Sequence, residues 1–256
     1  MHIEYHKWYS PSLGQDMELK VYGTGGRPFI VFPTSSGRFF DFENNGMVHA
    51  AERFIEAGKI VLCAVDSIDQ QSWDNREKPA EEKARRHNDY DRYITQEVVP
   101  FIRERAGGPG RIMCTGVSMG ASHAVLFFFK HPDLFQGTIA LSGVYNFRFF
   151  LDNYQGSSLD VYYNNPLDFL PNLEVPRLLE LYRTSDILVC VGQGAWEEPM
   201  VADTRRLQEV LAAKQVPCWI DFWGHDVNHD WPWWRRQFPY FLGKLYGERD
   251  GDRQGL

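Results

Sequence analysis

The chain contains no run of about 18 consecutive apolar residues, the length a membrane-spanning helix requires, so such a span is excluded. Its opening stretch, MHIEYHKWYSPS, lacks the basic-then-apolar pattern of a secretory signal. Cysteine is scarce: Cys63, Cys114, Cys190 and Cys218 each lie in or beside a strand-like segment, and none has C-x-x-C spacing. They read as buried, reduced thiols acting as small hydrophobes, which with the missing signal predicts a cytoplasmic protein. No block of basic residues interrupts a net charge of −7, so nucleic acid is not an expected partner. Repeats and low-complexity tracts are absent as well, and no metal or cofactor is expected.

What remains is 256 residues with 43% hydrophobic content, enough for one large core. We read residues 1–256 as a single domain with residues 247–256 as a polar tail. Residues 1–22 predict two strands around a Pro-Ser-Leu-Gly turn. Apolar runs then recur as strands at Pro28 to Phe32, Lys59 to Val65, Arg111 to Thr115, Gly137 to Ser142, Ile187 to Val191 and Cys218 to Trp223. Helices are expected between them. One runs to about Ala57, and a long one from about Ala80 to Glu104 carries an apolar stripe of Tyr90, Ile94, Val98 and Ile102, with a kink at Pro100. Others are expected after the Arg111 strand, over Asp203 to Lys214 and over Trp231 to Tyr246. Gly107 to Gly110 ends the long helix. Strand and helix alternating in this way predicts an α/β fold with a mostly parallel sheet and helices on both faces. Residues 144–183 break the alternation and read as an insertion over the sheet, a small lid.

One turn stands out. Gly116-Val117-Ser118-Met119-Gly120 is a G-x-S-x-G between a strand and an apolar helix, the setting that pushes a serine out of a sheet as a nucleophile. Side chains at either glycine would collide across so tight a turn, and the serine itself would sit in strained backbone. A serine needs a base, and in this chain order the base should follow the last strand, with its acid after the strand before. His229, just ahead of the closing helix, is favoured over His225, which leaves the strand at once. For the acid, Glu197 leads, followed by Glu198 and then Asp203, which reads better as a helix N-cap. Oxyanion donors are expected from the Met119 amide and from Ser35, with Thr34 and Ser36 as alternatives; the plainer reading makes all three simple turn formers.

Trp196 and Trp231 flank the acid and base and are the favoured substrate contacts. Phe39, Phe40, Trp73, Tyr145 and Tyr154 fit core or lid packing better. Asp66 and Asp69, past a strand end, are candidates for polar substrate groups, with a solvated loop as the plainer reading.

The elbow GVSMGA, the segment HPDLFQGTIALSG behind it, the turn FPTSSGRFFDFE and the closing WG-x-D-V-x-HDWPWW together resemble the putative esterase family of the α/β-hydrolase superfamily. That family includes esterase D (S-formylglutathione hydrolase), feruloyl esterases and mycolyltransferases; the HDWPWW ending resembles a small bacterial subgroup. The similarity runs from about residue 15 to 246. It implies an eight-stranded sheet, Ser118 as nucleophile, His229 as base and a small-molecule ester as substrate. Two alternatives stand beside ester hydrolysis: acyl transfer to an alcohol or sugar, and a binding protein without turnover. A homo-oligomer is left open.

Overall fold

The computed structural model of the chain describes residues 1–106, 108, 110, 112–152 and 154–247. Gly107, Pro109 and Arg111, with which the sequence reading ended the long helix and opened the next strand, lie outside the described residues, as does the tail from 248 on. Eight strands form one sheet: β1 (Ile3–Ser10), β2 (Gln15–Tyr22), β3 (Arg27–Phe32), β4 (Ile60–Val65), β5 (Ile112–Val117), β6 (Phe135–Leu141), β7 (Asp186–Val191) and β8 (Trp219–Phe222). Their order is β1-β2-β4-β3-β5-β6-β7-β8. β2 runs antiparallel to β1 and β4, and every other pairing is parallel. The mostly parallel sheet is what the alternation predicts, and the eight-stranded α/β-hydrolase arrangement is what the family resemblance implies.

The central strands are apolar on both faces because both are covered. In β3, Phe29 and Val31 face one layer while Ile30 and Phe32 face the other. The first layer holds three short helices, α1 (Asp41–Asn44), α2 (Met47–Ala50) and α3 (Glu52–Glu56), with the C-terminal helix. A single helix was expected there; Gly46 instead takes φ 75° and breaks the run. The second layer holds α4 (Ala80–Tyr93), α5 (Val99–Arg105), α6 (Met119–Lys130), the short α7 (Leu159–Tyr163), α8 (Pro166–Phe169) and α9 (Pro176–Arg183), and α10 (Glu198–Ala213). The C-terminal helix α11 spans Trp231–Leu245. Thus the described residues of 144–183 carry short helices built onto the α4, α6 and α10 side of the sheet. Among the described residues no helix is long and apolar enough to cross a membrane.

Pro100 does not end the long helix, as expected, and a π turn precedes it. Residues Ile94–Val98 form that turn between α4 and α5, and the Val99 N–H bonds the Ile94 carbonyl. Pro100 has no N–H to return to Gln96. A strict four-residue spacing would drift by about 40° per step around an ideal α-helix. The wider turn helps keep Tyr90, Ile94, Val98 and Ile102 on one face, and all four are buried.

A buried charge cluster ties that helix to α6. The Asp91 carboxylate meets Lys130 Nζ at 2.6 Å and His131 Nε2 at 2.9 Å. Burial opposes its ionisation, but the His131 hydrogen bond and the Lys130 charge outweigh it and hold the Asp91 carboxyl well below its ordinary range. A depressed carboxyl stabilises the fold fully above its unfolded pKa and loses that contribution as pH falls toward the folded value. Asp91→Asn should therefore cost about 3 kcal/mol at pH 7, with the gap from wild type shrinking below about pH 4 in urea titrations. A gap independent of pH would contradict this account.

Candidate active site

Strand order brings the site together. From β3 the chain steps to β4 on one side of it, and later to β5 on the other. A crevice opens outside the carboxyl ends of β3 and β5 at this switch. The loop after β3 and the elbow after β5 meet there. A Cβ on Gly116 would overlap the Gly120 backbone, and one on Gly120 would overlap the Phe32 carbonyl oxygen. Glycine is required at both positions, as the collision argument anticipated. Ser118 has φ 55° and ψ −125°, backbone that costs a non-glycine residue about 1–3 kcal/mol. That geometry turns its side chain out at the start of α6.

Ser118 Oγ lies 2.9 Å from His229 Nε2. On the far side of the ring, Nδ1 lies 3.4 Å from Glu197 Oε2, a looser link of the kind that tightens when a site is occupied. Glu197 is 1% exposed, and its other oxygen accepts a hydrogen bond from Ser142 Oγ at 2.6 Å. Ser142 in turn accepts one from Trp234 Nε1 at 3.1 Å. The Trp234 ring stands edge-on to His229, with centroids 4.8 Å apart. The structure thus brings Ser118, His229 and Glu197 together.

Their competitors point elsewhere. His225 is exposed, with Nδ1 3.3 Å from the Gln193 carbonyl. Glu198 is exposed in the first turn of α10. Asp203 is not a helix N-cap as expected: α10 begins at Glu198, with Pro199 in its first turn, so Asp203 lies inside the helix. There it accepts the backbone N–H groups of Tyr145 and Asn146 and anchors the start of the insertion.

Two loops hold the base against the acid. The segment after β7 and the one after β8 are laced by backbone bonds from Gln193 N–H to Gly224 O, Gly194 N–H to Val227 O and His229 N–H to Ala195 O. The Asn228 side chain adds an acceptor for the Ala195 N–H at 2.8 Å. Ser142, Trp234 and Asn228 were not singled out from sequence. Each acts across 33 or more residues, and no local pattern encodes such a pairing.

The turn after β3 is fixed by two carboxylates. Asp41 Oδ2 accepts both the N–H and the hydroxyl of Thr34, and Asp74 Oδ2 accepts the hydroxyls of Ser35 and Ser36. Thr34 therefore has no N–H to offer a ligand. Met119, at the first position of α6, has an N–H without a partner in the helix.

Other candidates resolve plainly. Trp196 is 80% exposed in left-handed backbone (φ 68°) beside Glu197, and Trp231 is half-buried against Trp234. Trp73 and Tyr145 are core, Phe39 is buried, Phe40 sits at the surface, and Tyr154 donates to Glu81. Asp66 and Asp69 are neither solvated nor open to a substrate. Asp66 holds Arg38 in a two-oxygen contact at 2.7 and 2.9 Å, and burial pushes its carboxyl up against the pull of Arg38. Asp69 holds His123 Nε2 at 2.9 Å behind the elbow.

The family model described as "Putative esterase" matches residues 10–245. Among curated proteins none matches the chain. Solved structures with the same fold include an S-formylglutathione hydrolase from Agrobacterium tumefaciens, 14% identical with a TM-score of 0.74, covering 96% of this chain and 95% of that one. MPT51 (FbpC1) of Mycobacterium tuberculosis is 16% identical with a TM-score of 0.73 over 97% of this chain and 99% of its own. A ferulic acid esterase is 15% identical with a TM-score of 0.71 over 95% and 96%.

The lacing of the two loops is directly testable. Asn228→Ala should raise amide hydrogen exchange at Gly194, Ala195 and His229 about tenfold, the effect of losing one hydrogen bond. Unchanged protection would show that Asn228 does not hold the loops.

Proposed function

Because the chain belongs to the putative esterase family, and is thereby a carboxylic ester hydrolase, we propose that it works through a Ser118 acyl-enzyme. The observation that carries this reading is the line from Ser118 through His229 to the buried Glu197. His229 Nε2 takes the Ser118 proton as Oγ attacks the ester carbonyl. Glu197 holds the ring through Nδ1 and stabilises the imidazolium that forms. The amides of Met119 and Ser35 stabilise the oxyanion. His229 then gives the proton to the leaving alcohol, draws one from water, and the water attacks the acyl group to release the acid and free Ser118.

Trp196 and Trp231, at the rim on either side of His229, serve as substrate contacts, and residues 144–183 form a wall of the site. The chemistry needs only side chains and backbone of this one α/β unit. Four free cysteines, three of them buried, support a cytoplasmic location.

Ser118→Ala should reduce p-nitrophenyl acetate hydrolysis by about 10³-fold or more with the fold intact by circular dichroism, and Glu197→Gln by about 10²–10⁴-fold. Full activity in the first would refute the nucleophile. Full activity in the second would move the acid role elsewhere. Ser142→Ala, which removes a donor from Glu197 without touching substrate, should lower kcat about tenfold.

A further inference from the structure

Every buried carboxylate among the described residues has a basic partner: Asp66 has Arg38, Asp69 has His123, Asp91 has Lys130 and His131, and Glu197 has His229. The buried ammonium has no acidic one. Lys83 is 5% exposed, the only lysine or arginine among the described residues so deeply covered. Its Nζ donates to the Phe150 carbonyl at 3.3 Å, and no carboxylate among the described residues comes within 4.0 Å. An ammonium carries three donors, so two remain unused by the protein. Lys83 also stands in the first turns of α4, where the helix dipole disfavours a cation. Its one hydrogen-bond partner among the described residues is thus a neutral carbonyl.

Lys83 faces a cleft of about 610 Å³ that also takes in Ser35 and Ser36 of the turn after β3, with Phe149 and Phe150 as walls. Arg76 lines the same cleft, exposed and with no ion pair among the described residues. Two carboxylates share it. Asp74 is committed to the hydroxyls of Ser35 and Ser36, and Asp152 is exposed at the insertion end. The cleft therefore begins at the proposed oxyanion turn and contains two cations left without an acidic partner.

We propose that this cleft is an anion subsite: the preferred substrate is an ester carrying a carboxylate remote from the scissile bond, received by Lys83 and Arg76. The proposal rests on the Ser118 hydrolase reading and adds the substrate class to it. A ligand carboxylate in the cleft can take the two Lys83 donors that the protein leaves unused, and charge-assisted bonds of that kind are the strong ones.

The test is a set of matched ester pairs, each carboxylate beside its methyl-capped form. Acyl-side members are the p-nitrophenyl monoesters of adipic and suberic acid; the alcohol-side member is 4-acetoxybenzoate. At least one carboxylate member should exceed its capped partner about tenfold in kcat/KM, chiefly through KM. That ratio should collapse in Lys83→Met, fall in Arg76→Gln and recover in part in Lys83→Arg. Arg76→Gln, at an exposed residue, keeps the test open if Lys83→Met does not fold. No preference in the wild type, or a ratio unchanged in both Lys83→Met and Arg76→Gln, overturns the subsite. A loss on both members of every pair alike in Lys83→Met, with the ratio kept, assigns Lys83 to holding the Phe150 turn and likewise overturns it. Absence of turnover on every ester, capped or not, would instead refute the hydrolase reading.

Discussion

The structure depends on one close approach of backbone to backbone. Gly120, at the start of α6, lies so near the Phe32 carbonyl that no side chain fits between them. This contact joins the end of β3 to the elbow after β5 across the switch in strand order. It brings the turn of Thr34, Ser35 and Ser36 toward the elbow of Ser118, and the Asp41 and Asp74 carboxylates fix that turn. The strain at Ser118 is held by the same packing, with the Ser118 N–H fixed to the Leu141 carbonyl at 2.9 Å.

A second assembly brings base and acid to that point. The loops after β7 and β8 are bonded to each other rather than lying free, which holds His229 against Glu197. Behind them, Trp234 from α11 and Ser142 from the end of β6 close off Glu197 from the far layer. The two helical layers on opposite faces of the sheet therefore both contribute to one site, which is why a sheet of this depth is needed to hold three short side chains in line.

How much of this was legible in the sequence follows from the range of each interaction. The elbow was legible because its glycines answer to sterics within five residues. His229 and Glu197 were legible because strand order confines them to two loops. The start of α10 was misread: Pro199 marks a first helical turn more firmly than Asp203 marks a cap, and Asp203 proved to anchor residues 145 and 146 instead. The break at Gly46 was missed because a left-handed glycine looks like any other in an amphipathic run. Ser142, Asn228 and Asp74 could not be found, since their partners lie tens of residues away. Lys83 was invisible for a different reason: on a polar helix start flanked by Glu81 and Glu82, a lysine looks solvated, and only the fold shows it covered.

The central claim is that Ser118 is the one activated nucleophile of this chain. Treatment with a fluorophosphonate followed by peptide mass spectrometry tests it most directly. The account predicts a single adduct, on the peptide carrying Ser118, lost when the protein is unfolded before exposure. An adduct on another residue, or none on the folded protein, would contradict it.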